Sequence, residues 1–443
     1  MVNRKTKIVL FVVLSFTMGA VSGAVVWAVL RIMSSGTLLL WEIIPAALGF
    51  AGQPLFWMGG WPSLLYGVVV CTSAGIMLGF WQKHYGVFPE TLEAVIERIK
   101  RDGGYPYENL HTLLVAVLIP LIFGGAIGPE AGLTGVIAGL CTMIGDRLKY
   151  KGDEVKKIAE AGLAATLGVI FASPLFGIVG NIEEKDWNSG RAYAPSKERE
   201  PLLTKGGRTV IYTFAVIGAM LSFKGLSAIF GGLAGLPRFS SHRSYDMAEM
   251  LSQWKWGLLL IFAGILAAVI YILLNKLTML IEKALYEYRV ISCTIAGFIL
   301  GVAGSFCSSG RFSGEAQMKF LIENWESISA TVLLIMGLVK LIMVNVSVNM
   351  GWKGGVIFPI IYSAVALGYA GTSLIETFSC VGGIESSFAV AVITASMLGF
   401  IMRKPVTVIA ILLLCFPLTF LPALTISSFV SGLLGRLLKK VFR

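Results

Sequence analysis

The sequence predicts an all-α integral membrane protein, built as an inverted-topology repeat whose helices are broken or re-entrant. Three observations lead to this fold class. Of the 443 residues, 56% are hydrophobic and only 14% are charged, and the mean hydropathy is +0.80. Long apolar runs fill most of the chain, and many of them contain glycine or proline in mid-run. A pair of motifs also recurs, in the same order, in the two halves of the chain.

The low charge content excludes a soluble globular protein of this length. Soluble domains carry about 25% charged residues, so this chain lacks the side chains for a water-facing surface of its size. The net charge of +11 does not indicate a nucleic-acid partner, because the basic residues lie in short loops and at the chain ends, as expected of cytoplasmic segments. The terminal ones are Arg4, Lys5, Lys7, Arg436, Lys439, Lys440 and Arg443. Both termini are therefore predicted to be cytoplasmic.

Cysteine and histidine give no sign of a metal site or a catalytic centre. The cysteines lie in or beside apolar segments without C-x-x-C spacing, which favours core packing over disulfides or metal binding. They are Cys71, Cys141, Cys293, Cys307, Cys380 and Cys415. The only histidines, His84, His111 and His242, do not have metal-ligand spacing. Neither an enzymatic activity nor a cofactor is predicted.

The apolar runs predict the helices in chain order. The first, Ile8 to Leu30, is long enough to cross the hydrocarbon core and too long for a signal-peptide core, so we predict a retained transmembrane helix. Apolar residues among charges predict an amphipathic helix over 89–101. The other apolar runs lie at about 63–80, 113–144, 158–182, 207–234, 256–282, 289–307, 327–349, 354–374, 387–402 and 404–434. Glycine or proline inside such a run requires neighbouring groups, or a water-filled cavity, to satisfy the freed backbone.

Two pairs of motifs indicate an internal duplication. The segment GGAIGP at 124–129 recurs as GGVIFP at 354–359, an offset of 230. A second pair follows at an offset of 231. In it, Ala164, Leu167, Gly168, Ile170, Pro174 and Ile178 are repeated as Ala395, Leu398, Gly399, Ile401, Pro405 and Ile409. Two pairs in the same order at nearly one offset favour duplication. The predicted halves are residues 1–205 and 206–443, within one membrane domain and without a soluble domain.

The charges of two loops predict that the halves are inverted. The loop after the first motif carries five basic residues, whereas the matching loop at about 375–387 has no lysine or arginine and carries Glu376 and Glu385. The five are Arg147, Lys149, Lys151, Lys156 and Lys157. Because basic loops stay in the cytoplasm, the two loops are predicted on opposite sides of the membrane. Transporters with this topology bind substrate near the midplane, between their repeats.

Three glycine-rich segments that end in proline predict an anion site. Such a segment is typical of a helix N-terminus, where free N–H groups and the positive end of the helix dipole favour an anion. The three segments are 86–89, 124–129 and 354–359. The predicted anion-binding residues are Gly86, Val87, Ile127, Gly128, Val356, Ile357 and Phe358. For any single segment, an ordinary break in a membrane helix is the alternative interpretation.

Several segments, in order and spacing, resemble those of a known family. The segments YGVFPE at 85–90, GAIGP at 125–129 and GVIFP at 355–359 are similar to the helix starts GSGIP, G(K/R)EGP and GxFxP of the CLC chloride channels and transporters. Further similar segments are the loop at 146–154, the stretch at 174–184 and MRKPVT at 402–407. The resemblance covers nearly the whole membrane region. It implies a CLC-type fold, an anion as substrate and a homodimer with one pathway in each subunit.

The chain departs from the family pattern at functional positions. The resemblance places the family's gating glutamate at Ile127, whose side chain can neither imitate an anion nor carry a proton. Glu130 is a candidate displaced gate, and an ordinary acid in a first helical turn is the alternative. Gly86 aligns with the family's central serine, while its central tyrosine has no counterpart. Glu184 matches the family's internal proton-transferring glutamate, with an interfacial acid as the alternative.

These observations predict the passage of a small inorganic anion, with chloride expected, through a CLC-type passive channel or uncoupled conductor. One alternative is an anion/proton antiporter that uses Glu130 and Glu184. Another is a relative that binds anions without conducting them. The protein is expected to be a multi-pass protein of the cell membrane, with the lipid bilayer and a second copy of itself as its other partners.

Overall fold

In a computed structural model the chain is almost entirely helical. The structure describes residues 4–49, 61–86, 89–148, 153–179, 205–232, 247–378, 383–413 and 415–438. These ranges contain no β-strand, and their single isolated β-bridge joins two loop segments. The predicted all-α class is therefore confirmed.

Sixteen principal helices follow one another through the described ranges. They are α1 (Arg4–Leu38), α2 (Trp61–Tyr85), α3 (Leu92–Asp102), α4 (Leu110–Ile122), α5 (Glu130–Arg147), α6 (Asp153–Ile170), α7 (Lys205–Phe230), α8 (Met247–Gln253), α9 (Gly257–Ala284), α10 (Arg289–Phe306), α11 (Glu315–Asn324), α12 (Ala330–Asn349), α13 (Ile357–Phe378), α14 (Ser386–Met402), α15 (Pro405–Leu412) and α16 (Leu421–Leu437). A π-helical turn at Leu39–Ile43 and a short helix at Ile44–Ala47 continue α1. Residues 174–179 are also helical.

Eight helices in the described ranges are long and apolar enough to cross a membrane. These candidate spans are Val9–Ala47, Leu64–Tyr85, Thr209–Phe230, Met250–Ala284, Arg289–Phe306, Ala330–Asn349, Ile357–Phe378 and Leu418–Leu437. The exposed faces of these helices are apolar: on α9, Leu258, Phe262 and Leu266 recur at helical spacing with exposed fractions of 80%, 64% and 50%. Since an exposed apolar stripe of this kind is unfavourable in water, it identifies a lipid-facing surface.

The first of two compact units comprises Met1–Ile32, Glu90–Leu114 and Glu130–Gly235. Its helices approach closely at small residues, because a Cβ added at Gly19 or Gly23 of α1 would overlap the backbone of Ala215 or Ala219 in α7. Such contacts are typical of helix pairs in membranes. In this unit α3 begins after Thr91, whose hydroxyl accepts a hydrogen bond from the Ala94 N–H at 3.3 Å.

The second compact unit comprises Met33–Pro89, Val115–Pro129 and Leu236–Arg443. Its most extensive helix pair is α2 with α10, which run antiparallel: a Cβ at Gly75 would overlap the backbone of Cys293, and one at Gly297 would overlap that of Cys71. The apolar core beside this pair includes Trp352, which is 0% exposed. This core lies directly against the motif segments that follow α4 and α12.

The order of helices repeats along the chain, as the motif pairs predict. In both halves a motif is followed by two helices, a break at proline and a short helical segment. At the two breaks, Ala172 and Arg403 have φ angles of 50° and 58°, in the left-handed region that favours glycine. They are equivalent at the repeat offset of 231. The compact units take segments from different parts of the chain, so the boundary between residues 205 and 206 stays a prediction.

Helix limits follow the predicted breaks at glycine and proline, with one difference at α3. The apolar run at 113–144 is interrupted at its glycine motif, as predicted: α4 ends at Ile122 and α5 begins at Glu130. The amphipathic helix predicted at 89–101 begins only at Leu92, because Thr91 rather than Pro89 supplies its N-terminal cap. Five cysteines in the described ranges are free and buried, as predicted, whereas Cys380 lies outside them.

Candidate anion site

The two repeated motifs meet in the second unit. The Gly128 N–H donates a hydrogen bond to the Gly355 carbonyl, and the Gly355 N–H donates one to the Gly128 carbonyl, both at 2.8 Å. The resulting bridge is antiparallel. Two copies of one motif that run past each other in opposite directions are arranged as an inverted repeat requires. The sequence therefore predicted correctly that the segments at 124–129 and 354–359 belong together.

The side chain of Ile127 fills the space between the motifs. It is 1% exposed, and a Cβ added at Gly354 would overlap it. A Cβ added at Gly125 would lie 3.3 Å from Ile127 Cγ1. The apolar side chain is thus enclosed by the glycines of both motifs, at the position where the family resemblance places the gating glutamate.

The N–H groups of the first motif are engaged within the protein. Gly125 N–H donates to the Pro120 carbonyl at 2.7 Å, Ile127 N–H to the Gly125 carbonyl at 2.8 Å, and Gly128 N–H to the Gly355 carbonyl. An anion would therefore meet the amides of the helical turns that follow the motifs, because a helix leaves the N–H groups of its first turn to partners outside it. The anion-binding roles of Ile127 and Gly128 stay predictions.

The second motif leads directly into α13. This helix begins at Ile357, so that Pro359 lies in its first turn, where proline is tolerated. Ile357 and Phe358 are 7% and 0% exposed, whereas Val356 is only half-buried. The turn before the motif contains Gly351 at φ 101°, whose carbonyl accepts a hydrogen bond from Gln82 Nε2 at 2.6 Å.

Two side chains at the site were missed by the sequence analysis. Ser347 in α12 is 0% exposed, and its Oγ accepts a hydrogen bond from the Ala126 N–H at 3.2 Å. The indole of Trp352 donates to the Cys293 carbonyl at 2.9 Å and lies 3.1 Å from a Cβ built at Gly125. A tryptophan two residues before the second glycine motif was a signal for the second contact. No local pattern marked Ser347.

The third predicted helix start differs from the other two. Gly86 is exposed at φ 62°, and a Cβ added there would meet nothing within 4 Å. Val87 lies outside the described residues, and Pro89 precedes α3 by three residues. The roles of Gly86 and Val87 as anion-binding residues therefore stay predictions.

The structure describes one of the two acidic residues that were predicted to act in gating and proton transfer. Glu130, the first residue of α5, is 1% exposed, which is unusual for a carboxylate. Glu184 lies outside the described residues. In the same unit as Glu130, the buried carboxylate of Glu160 accepts a hydrogen bond from the hydroxyl of Tyr212 at 2.5 Å.

Basic residues lie beside the second motif. Lys353, immediately before Gly354, has its Nζ 3.1 Å from Glu282 Oε1, and Arg289 Nη1 is 3.8 Å from the same oxygen. These three side chains are about one-fifth to one-quarter exposed. Two cations that share one carboxylate leave a net positive charge at this edge of the motif, which favours the approach of anions.

These features define a class of protein: a helical membrane protein with inverted repeats and paired glycine motifs before helix starts. The family model described as "Voltage gated chloride channel" (Voltage_CLC) matches residues 67–436. The chain therefore belongs to the CLC family, whose members transport anions.

Other similar proteins agree with this assignment. The chain is 27% identical over 361 residues to YfeO of Escherichia fergusonii, whose name assigns it provisionally to ion transport; the match covers 79% of this chain and 76% of that one. The YfeO of Escherichia coli strain SE11 is 27% identical over 359 residues, with the same coverage.

Solved structures show the same fold. A slow cyanobacterial Cl⁻/H⁺ antiporter superimposes with a TM-score of 0.68 at 16% identity, covering 100% of this chain and 99% of that one. A CLC-type fluoride/proton antiporter gives a TM-score of 0.67 at 16% identity, with coverage of 97% and 95%. The predicted CLC-type fold is therefore confirmed, and the protein is an integral membrane protein.

Proposed function

We propose that this protein passes a small inorganic anion across the membrane without coupled proton movement, with chloride as the expected anion. The buried side chain of Ile127 carries this proposal. Exchange of an anion for a proton needs titratable side chains along the pathway, as in the carboxylate and histidine relays of proton transporters, and isoleucine has no such group. The paired glycine motifs and the positive edge at Lys353 support the passage of an anion.

The test is flux from liposomes that contain the purified protein. Vesicles loaded with chloride and a potassium ionophore, which removes the opposing membrane potential, are diluted into low-chloride buffer. Chloride efflux and internal pH are recorded together. We expect efflux that depends on the ionophore, with no stoichiometric change of pH beyond that in protein-free vesicles. Robust proton uptake driven by the chloride gradient would contradict the proposal.

A second candidate function, anion/proton exchange, is favoured by the buried carboxylate of Glu130. Two solved structures of similar fold are described as a Cl⁻/H⁺ and a fluoride/proton antiporter, which supports the same candidate. In this mechanism Glu130 takes the gating role and Glu184 the internal proton-transferring role. Loss of proton movement in Glu130→Gln, with anion flux retained, would support exchange. If proton and anion movement stay coupled in that variant, Glu130 is excluded as the gate.

The identity of the anion is tested by substitution. Fluoride, nitrate and bromide replace chloride in the same assay, because backbone amides discriminate weakly between small anions. Binding of an anion without any flux would favour a non-conducting relative.

The proposal extends to assembly and orientation. The protein acts as a homodimer in the cell membrane, with one anion pathway in each subunit and both termini in the cytoplasm. The family resemblance supports the dimer, and the basic residues at the two chain ends support the orientation.

A further inference from the structure

Lys340 lies in the middle of α12 and is 0% exposed. Its ammonium group donates hydrogen bonds to the carbonyls of Arg311 and Phe312, both at 2.9 Å, and lies 5.0 Å from the centre of the Tyr362 ring. Within the described part of the chain, Lys340 forms no ion pair. A buried cation is costly unless it is paired or hydrogen-bonded, and here two backbone carbonyls accept its hydrogen bonds. Here those contacts hold one loop, which consists of Arg311 and Phe312.

The loop held by Lys340 reaches the first glycine motif. Phe312 has a φ angle of 59°, a conformation that is strained for a bulky residue, and its N–H donates to the Gly124 carbonyl at 3.3 Å. Gly124, at φ 93°, begins the motif. The guanidinium of Arg311 donates to the Gly304 carbonyl at 2.8 Å. Hydrogen bonds from Lys340 therefore hold this loop, and the loop in turn holds Gly124, the first residue of the motif, through the N–H of Phe312.

The guanidinium of Arg311 also lies 4.4 Å from the centre of the Trp41 ring. The Trp41 indole in turn donates to the Ile122 carbonyl at 2.9 Å. The last turn of α4, which leads into the motif, is thus held through the same loop.

A second contact from α12 holds the same motif directly. Ser347, seven residues after Lys340, accepts the hydrogen bond from the Ala126 N–H. Residues seven apart lie on one face of a helix, two turns from each other. Side chains on one face of α12 therefore hold the first motif at two places. Lys340 acts on Gly124 through Phe312, and Ser347 acts on Ala126 directly. The end of α12 then leads, through Trp352, into the second motif.

We propose that Lys340 and Ser347 are positioning residues for the anion site. They fix the backbone of the first glycine motif at Gly124 and Ala126, just before the pair of hydrogen bonds that joins Gly128 to Gly355 of the second motif, and the geometry held in this way determines which anions are accepted. This inference rests on the proposed function of the motif pair as an anion site. Neither side chain is assigned to contact the anion.

The inference predicts a change in anion selectivity rather than only in stability. Chloride and nitrate binding to the purified protein is measured by calorimetry, and flux of both anions is measured in liposomes. In Lys340→Met and Ser347→Ala, the ratio of chloride to nitrate affinity is expected to change about tenfold, because small displacements of binding groups have large effects. Ser347→Thr keeps the hydroxyl and Lys340→Arg keeps the charged donor. Each of these variants is expected to retain most of the natural ratio of chloride to nitrate affinity.

Two further variants separate positioning from general damage. Gly124→Ala disturbs the same turn from the other side, because the added Cβ would lie 3.2 Å from Trp41 Cζ2 at an unfavourable φ, so it is expected to change the ratio as Lys340→Met does. The matched control is Asn345→Leu, which removes a buried hydrogen bond of 2.7 Å to the Leu341 carbonyl within α12 from a position five residues after Lys340, and so on another face of the helix. Its ratio is expected to stay unchanged.

The outcomes are distinct from those of the function test. Unchanged selectivity in folded, monodisperse Ser347→Ala and Gly124→Ala overturns the inference, even if Lys340→Met does not fold. An equal change in Asn345→Leu also overturns it, since the effect then reflects any loss of packing in α12. If the natural protein binds anions but does not pass them, the proposed conduction fails while the affinity ratios still test the positioning roles. A natural protein that binds no anion overturns both.

Discussion

At position 127 an isoleucine side chain occupies the space between two glycine motifs, with 1% of its surface exposed. A carboxylate in this place would be enclosed by the glycines of both motifs, as the isoleucine is. When ionised it would compete with a free anion as a tethered ligand of high effective concentration. The natural side chain removes both the competition and the proton-binding group.

The variant Ile127→Glu is therefore expected to pass chloride more slowly than the natural protein and to become pH-sensitive. At neutral pH the ionised carboxylate should lower flux roughly tenfold, through competition by the tethered group. As the pH falls, protonation removes the charge of this carboxyl and flux should rise. The measurement is chloride efflux from liposomes at a series of pH values between about 4.5 and 8, a range that begins near the ordinary pKa of a glutamate side chain.

Ile127→Gln is the matched control for that experiment, because glutamine has the same size as glutamate and does not titrate. Its flux should show no added pH dependence. Identical pH profiles of the Glu and Gln variants would argue against a buried carboxylate at this position, and hence against the alignment that places the family's gate there.

Some contacts of the site were predictable from the sequence and others were not. Duplicated motifs predicted that 124–129 and 354–359 come together, because an inverted repeat places equivalent segments about a common axis. Ser347 was not predictable, since a lone serine in an apolar helix carries no signal of its distant partner Ala126. The engaged amides of the first motif were also missed, because helix-start patterns say nothing about which N–H groups the protein itself uses.

The two helix breaks that follow α6 and α14 are built in the same way. Pro174 and Pro405 supply no N–H and disfavour helical geometry in the preceding residue, so each helix stops short of its proline. The left-handed residues Ala172 and Arg403 then turn the chain. At the second break, the Arg403 carbonyl also accepts hydrogen bonds from Arg436 Nε at 3.2 Å and Nη2 at 2.9 Å.

Replacing Ala172 with glycine should stabilise the protein, because alanine at φ 50° carries the steric cost of the left-handed conformation, about 1–2 kcal/mol. The larger entropy that glycine loses on folding offsets part of this gain, so we expect the free energy of unfolding to rise by about 0.5–1 kcal/mol. The measurement is thermal unfolding of the purified protein in detergent. Ala165→Gly, inside α6, is the control and should lower stability by about 1 kcal/mol. A lower Tm for Ala172→Gly than for the natural protein would show that the turn is not strained.

Helix limits were predictable where proline or glycine interrupts an apolar run, but not where a polar side chain decides them. The breaks near Pro174 and Pro405 were evident from the sequence. The start of α3 at Leu92 depended on Thr91, whose capping hydrogen bond outweighed the pattern of glycine and proline before it. Propensity patterns locate such limits only approximately, because caps act through single hydrogen bonds.

For the whole molecule, the inverted repeat makes a prediction about sidedness. Arg147 ends α5, and Glu376 lies in the last turn of the equivalent helix α13. Both residues are exposed. The loop that follows α5 is rich in basic residues, whereas the loop that follows α13 has none. This difference predicts that the two loops lie on opposite sides of the membrane.

Cysteine labelling tests this topology. Arg147→Cys and Glu376→Cys are made separately in a background with Cys380→Ser; the five described cysteines are buried and should react slowly. A membrane-impermeant maleimide is added to right-side-out and to inverted vesicles. We expect the cysteine at 376 to react from outside the cell and the cysteine at 147 only in inverted vesicles. Labelling of both from one side would exclude the inverted arrangement.

The hydrogen bond from Ala126 to Ser347 has a consequence for biosynthesis. Its two residues are 221 positions apart, and translation proceeds at about 5–20 residues per second. The first motif therefore waits on the order of ten to forty seconds at the translocon before α12 is made. During that interval the nascent chain has its early helices but not the residue that holds Ala126. A ribosome stalled before residue 347 would carry a membrane-inserted chain whose first motif remains accessible to proteases and chaperones.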